Sequence, residues 1–117
     1  MARVIVDRHE FERLVSDAID EIPDEFAEAL EEVAIVVEDH APAHLPPLYG
    51  LYQGIPLTEG WQISGALPAH ISIYMHPMLE HCHTAAEVIR QVRITVLHEL
   101  GHHLGFDEDG LHDLGYG

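Results

Sequence analysis

The residues best suited to chemistry lie close together near the end of the sequence, in the segment His98-Glu99-Leu100-Gly101-His102. They form an H-E-x-x-H pattern. Histidines four positions apart face one side of a helix, one turn apart, so both imidazoles can bind the same metal ion. Glu99 is placed where its carboxylate can act as a general base towards a water molecule at that ion. The pattern therefore predicts a hydrolytic metal site.

The residues that follow the motif offer a candidate third ligand. Gly105 allows a sharp reversal of the chain, and Glu108 comes three positions later. The full pattern is then H-E-x-x-H-x-x-G-x-x-E, and two imidazoles with one carboxylate leave a fourth position of a zinc ion open to water. We expect His98, His102 and Glu108 to bind Zn2+. Asp109 directly follows Glu108 and is the alternative third ligand.

A long helix must carry the motif. Thr84 and Glu87 have the spacing of a capping box, and apolar residues recur at helical spacing after them. We predict a helix over residues 85–104 that ends at Gly105 in a left-handed turn. His103 lies nearer the apolar side of this helix than the motif histidines do, so we expect it to be buried or hydrogen-bonded and not a ligand.

The rest of the chain predicts further helices and strands. Apolar spacing indicates two helices in the first third, with Asp7 and Asp24 as their N-caps. A continuous β-branched run predicts a buried strand, and an alternating run predicts a half-buried strand whose edge could bind an extended peptide. Proline and glycine indicate loops between residues 40 and 68. The predicted helices cover residues 7–22 and 24–31, the strands cover 33–37 and 70–74, and a short extended segment covers 51–53 with Ile55.

Composition places the chain among ordinary folded proteins. Its 117 residues are room for a single domain, residues 1–117, and 47% of them are hydrophobic. The formal net charge of −16 repels phosphate backbones and anionic headgroups, so we expect no nucleic acid and no membrane surface as partner. Cys82 is the lone cysteine, and no apolar run predicts a signal peptide or membrane span. We expect a cytoplasmic protein.

Together with residues 50–58 and 92–97, the motif resembles a family of small bacterial zincin-like metallopeptidases, described as minimal zincins. The resemblance covers most of the chain. It implies an α+β domain in which a small mixed sheet packs on an active-site helix. It also implies His98 and His102 as zinc ligands, Glu99 as general base, and hydrolysis of peptide bonds in a peptide or protein substrate.

Two positions depart from the longer zincin patterns. The aspartate-type zincin pattern ends in aspartate, whereas this chain has Glu108 at that spacing. The methionines Met1, Met75 and Met78 all precede the motif, so a methionine turn beneath the metal must be absent or replaced. Tyr116 follows the motif within reach of the site, and its hydroxyl is a candidate donor to a developing oxyanion.

Two other classes of function are compatible with the same residues. A zincin fold without turnover would be a metal-binding or protein-interaction module, and a chain this short could complete its cleft with a second copy as a homodimer. A strongly acidic chain could also bind a basic partner through charge alone. Glu99 separates the first alternative from a hydrolase, because a structural site needs its ligands but no general base.

Overall fold

A computed structural model describes three parts of the chain, residues 6–54, 69–107 and 109–110. They contain four α-helices and a three-stranded mixed sheet, which confirms the predicted α+β class. A 3-10 turn, Asp24–Phe26, precedes the second helix. Helices α1 to α4 cover Arg8–Asp20, Ala27–Glu31, Met75–His81 and Ala85–His103, and strands β1 to β3 cover Ala34–Glu38, Gly50–Gln53 and His70–Tyr74. No helix within these parts is long and apolar enough to cross a bilayer.

The apolar sides of α1 and α4 form the centre of the core. They pack against each other and, with the sheet, enclose side chains that are almost free of solvent contact. Burial of each valine, leucine or phenylalanine side chain among them contributes about 1.5–3 kcal/mol to the hydrophobic stabilisation. The buried apolar residues of these helices are Phe11, Leu14, Val15 and Ala18 on α1 and Val88, Val92, Val96 and Leu100 on α4. The core therefore holds one side of the motif helix in place.

Strand β3 is the central strand of the sheet. It pairs with β1 in parallel and with β2 in antiparallel orientation. Its residues Ile71, Ser72, Ile73 and Tyr74 are all buried, at 1% exposure or less. The prediction of a half-buried strand with an edge for a peptide is therefore wrong, because strands occupy both of its edges and both of its faces are covered.

Strand β1 lies at one edge of the sheet, and its residues are exposed or half-buried in alternation. The prediction of a buried strand over 33–37 is wrong, since Val36 is 38% exposed. Continuous β-branched sequence favours a strand without fixing its place in the sheet. The Arg8 guanidinium donates to the Val37 carbonyl and pairs with Asp39 at 3.2 Å, so α1 contacts this edge.

Two of the three N-caps predicted from the sequence are present. The Asp7 carboxylate accepts from the Glu10 N–H at 2.8 Å, and the Thr84 hydroxyl accepts from the Glu87 N–H at 3.1 Å, as predicted. Asp24 does not cap α2, because the 3-10 turn that it begins leads into that helix without a side-chain cap. The Glu87 carboxylate accepts from the His83 N–H, one residue before the position that a capping box requires.

Helix α3 has no counterpart in the sequence prediction. Its third residue is Pro77, which argues against a helix when it is considered alone. Proline is tolerated in the first turn, because the N–H groups there have no partner within the helix. The helix buries Met75, Pro77 and Met78, so its apolar contacts with the core outweigh a weak local signal.

Gly50 allows β2 to lie directly against α4. A Cβ atom at this position would come 2.6 Å from Cγ2 of Thr95 and 2.9 Å from the Ser72 carbonyl oxygen. Real Cβ atoms do not approach other atoms so closely, and the second contact is with backbone that cannot turn away. The absence of a side chain at Gly50 therefore sets the distance between this strand and the motif helix.

We expect Gly50→Ala to destabilise the fold by about 1–3 kcal/mol, because β2 must move away from α4. Urea unfolding measures the change. Adding Thr95→Ser removes the nearer clash and should recover part of the loss. Gly110→Ala is the control, since its nearest atoms belong to side chains 3.3 Å away, and it should stay within about 0.5 kcal/mol of wild type. Equal stability of Gly50→Ala and wild type would contradict the close packing.

Candidate metal centre

The last two turns of α4 bring three potential ligands together. One ligand atom from each of His98, Glu99 and His102 lies within 4.8 Å of the others. The two imidazole rings are 5.0 Å apart and meet edge to face. Both histidines are half-buried, whereas Glu99 is 8% exposed. Within the part of the chain that the structure describes, this is the group that could hold a metal ion.

The turn after α4 orients His102. The helix ends with Gly105 at φ 97°, and the N–H groups of Phe106 and Gly105 donate to the Gly101 and His102 carbonyls. This is the pattern of a Schellman motif, and it confirms the predicted left-handed end. Nδ1 of His102 then lies 3.1 Å from the Phe106 carbonyl oxygen. Because a carbonyl only accepts, the proton is on Nδ1 and the lone pair is on Nε2, as a metal ligand requires.

Glu99 is held by the sheet. Its Oε1 accepts a hydrogen bond from the Tyr52 backbone N–H at 2.7 Å, and its Oε2 lies 3.8 Å from Nε2 of His98. A buried carboxylate is costly unless such bonds replace its hydration. One oxygen therefore points to β2 and the other points towards the motif histidines.

His103, the residue after the motif, is buried at 3% exposure. Its Nδ1 is 2.8 Å from the Tyr52 hydroxyl, and its Nε2 is 3.1 Å from Oε1 of Glu32. The prediction of a buried, hydrogen-bonded histidine is confirmed. Burial, with the negative charge of Glu32 as the smaller cause, raises the pKa of the Tyr52 hydroxyl above its ordinary value, so this hydroxyl keeps its proton near neutral pH.

Tyr52 is the contact that sequence reasoning missed. It meets Glu99 across 47 positions and His103 across 51 positions of the chain. The resemblance includes its segment, but no spacing rule connects an isolated tyrosine to a distant helix. The nearby Gly50 was the available signal, because a strand glycine often marks a close approach of backbone to another element.

Two of the predicted site residues, Glu108 and Tyr116, lie outside the described residues. Asp109, the alternative third ligand, is exposed and does not belong to the group formed by the motif. The third ligand and the tyrosine donor therefore stay predictions.

Two histidines outside the motif, His76 and His81, contact other groups. His76 stacks on His40 with ring centroids 4.6 Å apart, and Nδ1 of His81 donates to the Pro77 carbonyl at 2.9 Å. Neither belongs to a further group of three potential metal ligands in the three described parts of the chain. Cys82 is buried, and this burial raises the pKa of its thiol, so the thiolate that metals and electrophiles require is disfavoured.

An α+β chain whose last long helix presents an H-E-x-x-H group beside a small sheet has the features of the zincin class. A family model described as zincin-like metallopeptidase matches residues 30–117, and the chain belongs to that family. The resemblance seen in the sequence is thereby confirmed, and membership implies a metal ion, typically zinc.

Comparison with other proteins adds evidence on the fold. No curated protein matches the chain. The chain is similar to a solved structure of a conserved hypothetical protein from T. thermophilus, with 27% sequence identity and a TM-score of 0.58. The match covers 84% of this chain and 94% of the other, so the two proteins are similar over nearly their whole length.

We expect Gly105→Ala to weaken zinc binding and to destabilise the fold by about 1–2 kcal/mol. A Cβ atom is strained in the left-handed conformation, and relief of the strain moves the Phe106 carbonyl away from His102. Urea unfolding and a zinc titration measure the two effects. Gly105→Asn is the matched control, because asparagine tolerates this conformation, and it should lose less of both quantities. Indistinguishable alanine and asparagine variants would contradict the role of the turn.

Proposed function

We propose that the chain is a zinc-dependent metallopeptidase in which His98, His102 and Glu108 bind the metal and Glu99 is the general base. The observation that carries the proposal is the orientation of Glu99. A purely structural zinc site has no need of a buried carboxylate held by a backbone N–H beside two imidazoles. The substrate is a peptide or protein.

The described donors fit zinc. Imidazole nitrogens are ligands of catalytic zinc sites, and the bond from His102 to the Phe106 carbonyl sets the ligating tautomer. The carboxylate ligand of the proposal, Glu108, lies outside the described residues. Bound Zn2+ supplies a Lewis acid that polarises the substrate carbonyl and lowers the pKa of water.

Glu99 then carries the proton transfers. With Oε1 held by Tyr52, the oxygen that faces the histidines is Oε2. Oε2 accepts a proton as water attacks the carbonyl carbon, and it delivers that proton to the amine as the carbon–nitrogen bond breaks. The products are a carboxylic acid, which receives the hydroxyl group of the water, and an amine, which receives its proton.

Zinc binding to the metal-free protein tests the ligand set. We expect one tight equivalent in the wild type and its loss in His98→Ala. Glu108→Ala should weaken binding strongly, whereas Glu108→Asp should retain most of the affinity because it keeps the carboxylate. His40→Ala, which removes an exposed histidine outside the motif, is the control and should bind as the wild type does. Normal binding by His98→Ala would mean that zinc is held elsewhere.

Glu99→Gln separates a hydrolase from a metal-binding module. The amide oxygen of glutamine can still accept from the Tyr52 N–H, so the fold and zinc affinity should be preserved, but no group remains to take the proton. We expect kcat/KM to fall by about 10²–10⁴, measured on a quenched-fluorescence peptide library with the zinc-loaded protein. Glu28→Gln, at an exposed glutamate of α2, is the matched control. Equal cleavage by Glu99→Gln would show that Glu99 is not the general base.

A further inference from the structure

A chain of three hydrogen bonds connects the surface of the domain to Glu99. Oε1 of Glu32 lies 3.1 Å from Nε2 of His103, and Nδ1 of His103 lies 2.8 Å from the Tyr52 hydroxyl. The Tyr52 N–H is 2.7 Å from Oε1 of Glu99. These four residues come from the end of α2, from β2 and from two positions of α4. The first two bonds take no part in the chemistry described so far.

The donors and acceptors of these three hydrogen bonds are mutually consistent. The Glu32 carboxylate only accepts, so the His103 proton that faces it is on Nε2. Nδ1 of a neutral imidazole is then an acceptor, and the Tyr52 hydroxyl donates to it. His103 is buried, so each of its ring nitrogens needs a partner, and each has one. The Glu32 contact therefore selects the tautomer that holds Tyr52.

Tyr52 is held at both ends by these contacts. Its side chain is bonded to His103 and its backbone to Glu99, while the strand that carries it has four residues and lies at the edge of the sheet that the described residues form. A strand this short has few backbone bonds to resist a shift. The hydroxyl contact with α4 therefore keeps the backbone N–H at its distance from the carboxylate.

We propose that His103 is a positioning residue for the general base, because it fixes Tyr52 through the hydroxyl and so keeps the Tyr52 N–H on Glu99. The catalytic part of this inference rests on the proposed peptidase function, whereas the positioning of the amide does not. Loss of the N–H removes the hydrogen bond that holds Oε1 of Glu99, and the alignment of the carboxylate with the attacking water is reduced.

Three variants separate the two bonds of His103. Tyr52→Phe removes only the hydroxyl. His103→Gln places an amide near the position of Nε2, which keeps the contact with Glu32 and loses that with Tyr52. His103→Asn places an amide oxygen near the position of Nδ1, which keeps the contact with Tyr52 and loses that with Glu32. Tyr49→Phe is the matched control, since this half-buried tyrosine precedes β2 and lies beside His81.

The first measurement is the ¹H–¹⁵N spectrum and amide exchange of Tyr52 in the full-length, metal-free protein. In the wild type, His103→Asn and Tyr49→Phe, we expect a downfield, slowly exchanging Tyr52 amide. In Tyr52→Phe and His103→Gln we expect an upfield shift of the residue 52 amide and exchange faster by about tenfold or more. An unchanged residue 52 amide in Tyr52→Phe and His103→Gln would overturn the proposal, whether or not the protein has peptidase activity.

The second measurement is turnover by the zinc-loaded protein. Tyr52→Phe and His103→Gln should lower kcat by about 10- to 100-fold while KM and zinc affinity change by less than about threefold. His103→Asn should recover most of kcat. A loss of zinc affinity equal to the loss of kcat would overturn the positioning role and show a general structural effect. An inactive wild type would count against the proposed function, and the amide measurement would still decide the positioning of Tyr52.

Discussion

The hydrogen bond between the Tyr52 N–H and Glu99 is the constraint on which the site depends, because it joins the sheet to the motif helix at the reactive carboxylate. A backbone donor cannot change rotamer, so the direction of the carboxylate is set by the position of β2. That position depends in turn on the close approach at Gly50, where no side chain separates the strand from Thr95. The position of the β2 backbone therefore determines the orientation of the Glu99 carboxylate.

Local signals in the sequence were sufficient for α4 and for the motif on it. The Thr84 cap, the helical spacing of apolar residues and Gly105 are each determined by neighbours within a few positions, and the structure has the helix that they predict. The burial of His103 also follows from its place beside the apolar side of that helix. Because the H-E-x-x-H residues lie on consecutive turns of one helix, their proximity can be predicted without the rest of the fold.

What could not be predicted depends on distant contacts. An alternating strand such as β3 has the same local pattern at the edge and at the centre of a sheet, so its central place had to come from its partners. Helix α3 contains Pro77, and the core contacts that stabilise it are separated from it in sequence. The hydrogen bond between Tyr52 and Glu99 produces no repeating pattern in the sequence, because the two residues lie in distant segments.

Helix α4 presents its polar site residues on one side and its core residues on the other. Glu99 and Leu100 are neighbours in the chain and are both buried, yet a 100° step between them turns one side chain to β2 and the other into the core. The core contacts with α1 hold the helix rigidly, so the carboxylate and the imidazoles can be aligned without a large scaffold. One strand on the polar side and one Schellman turn at the end then orient Glu99 and His102. This economy explains how a chain of 117 residues can present such a group of ligands while retaining a continuous hydrophobic core.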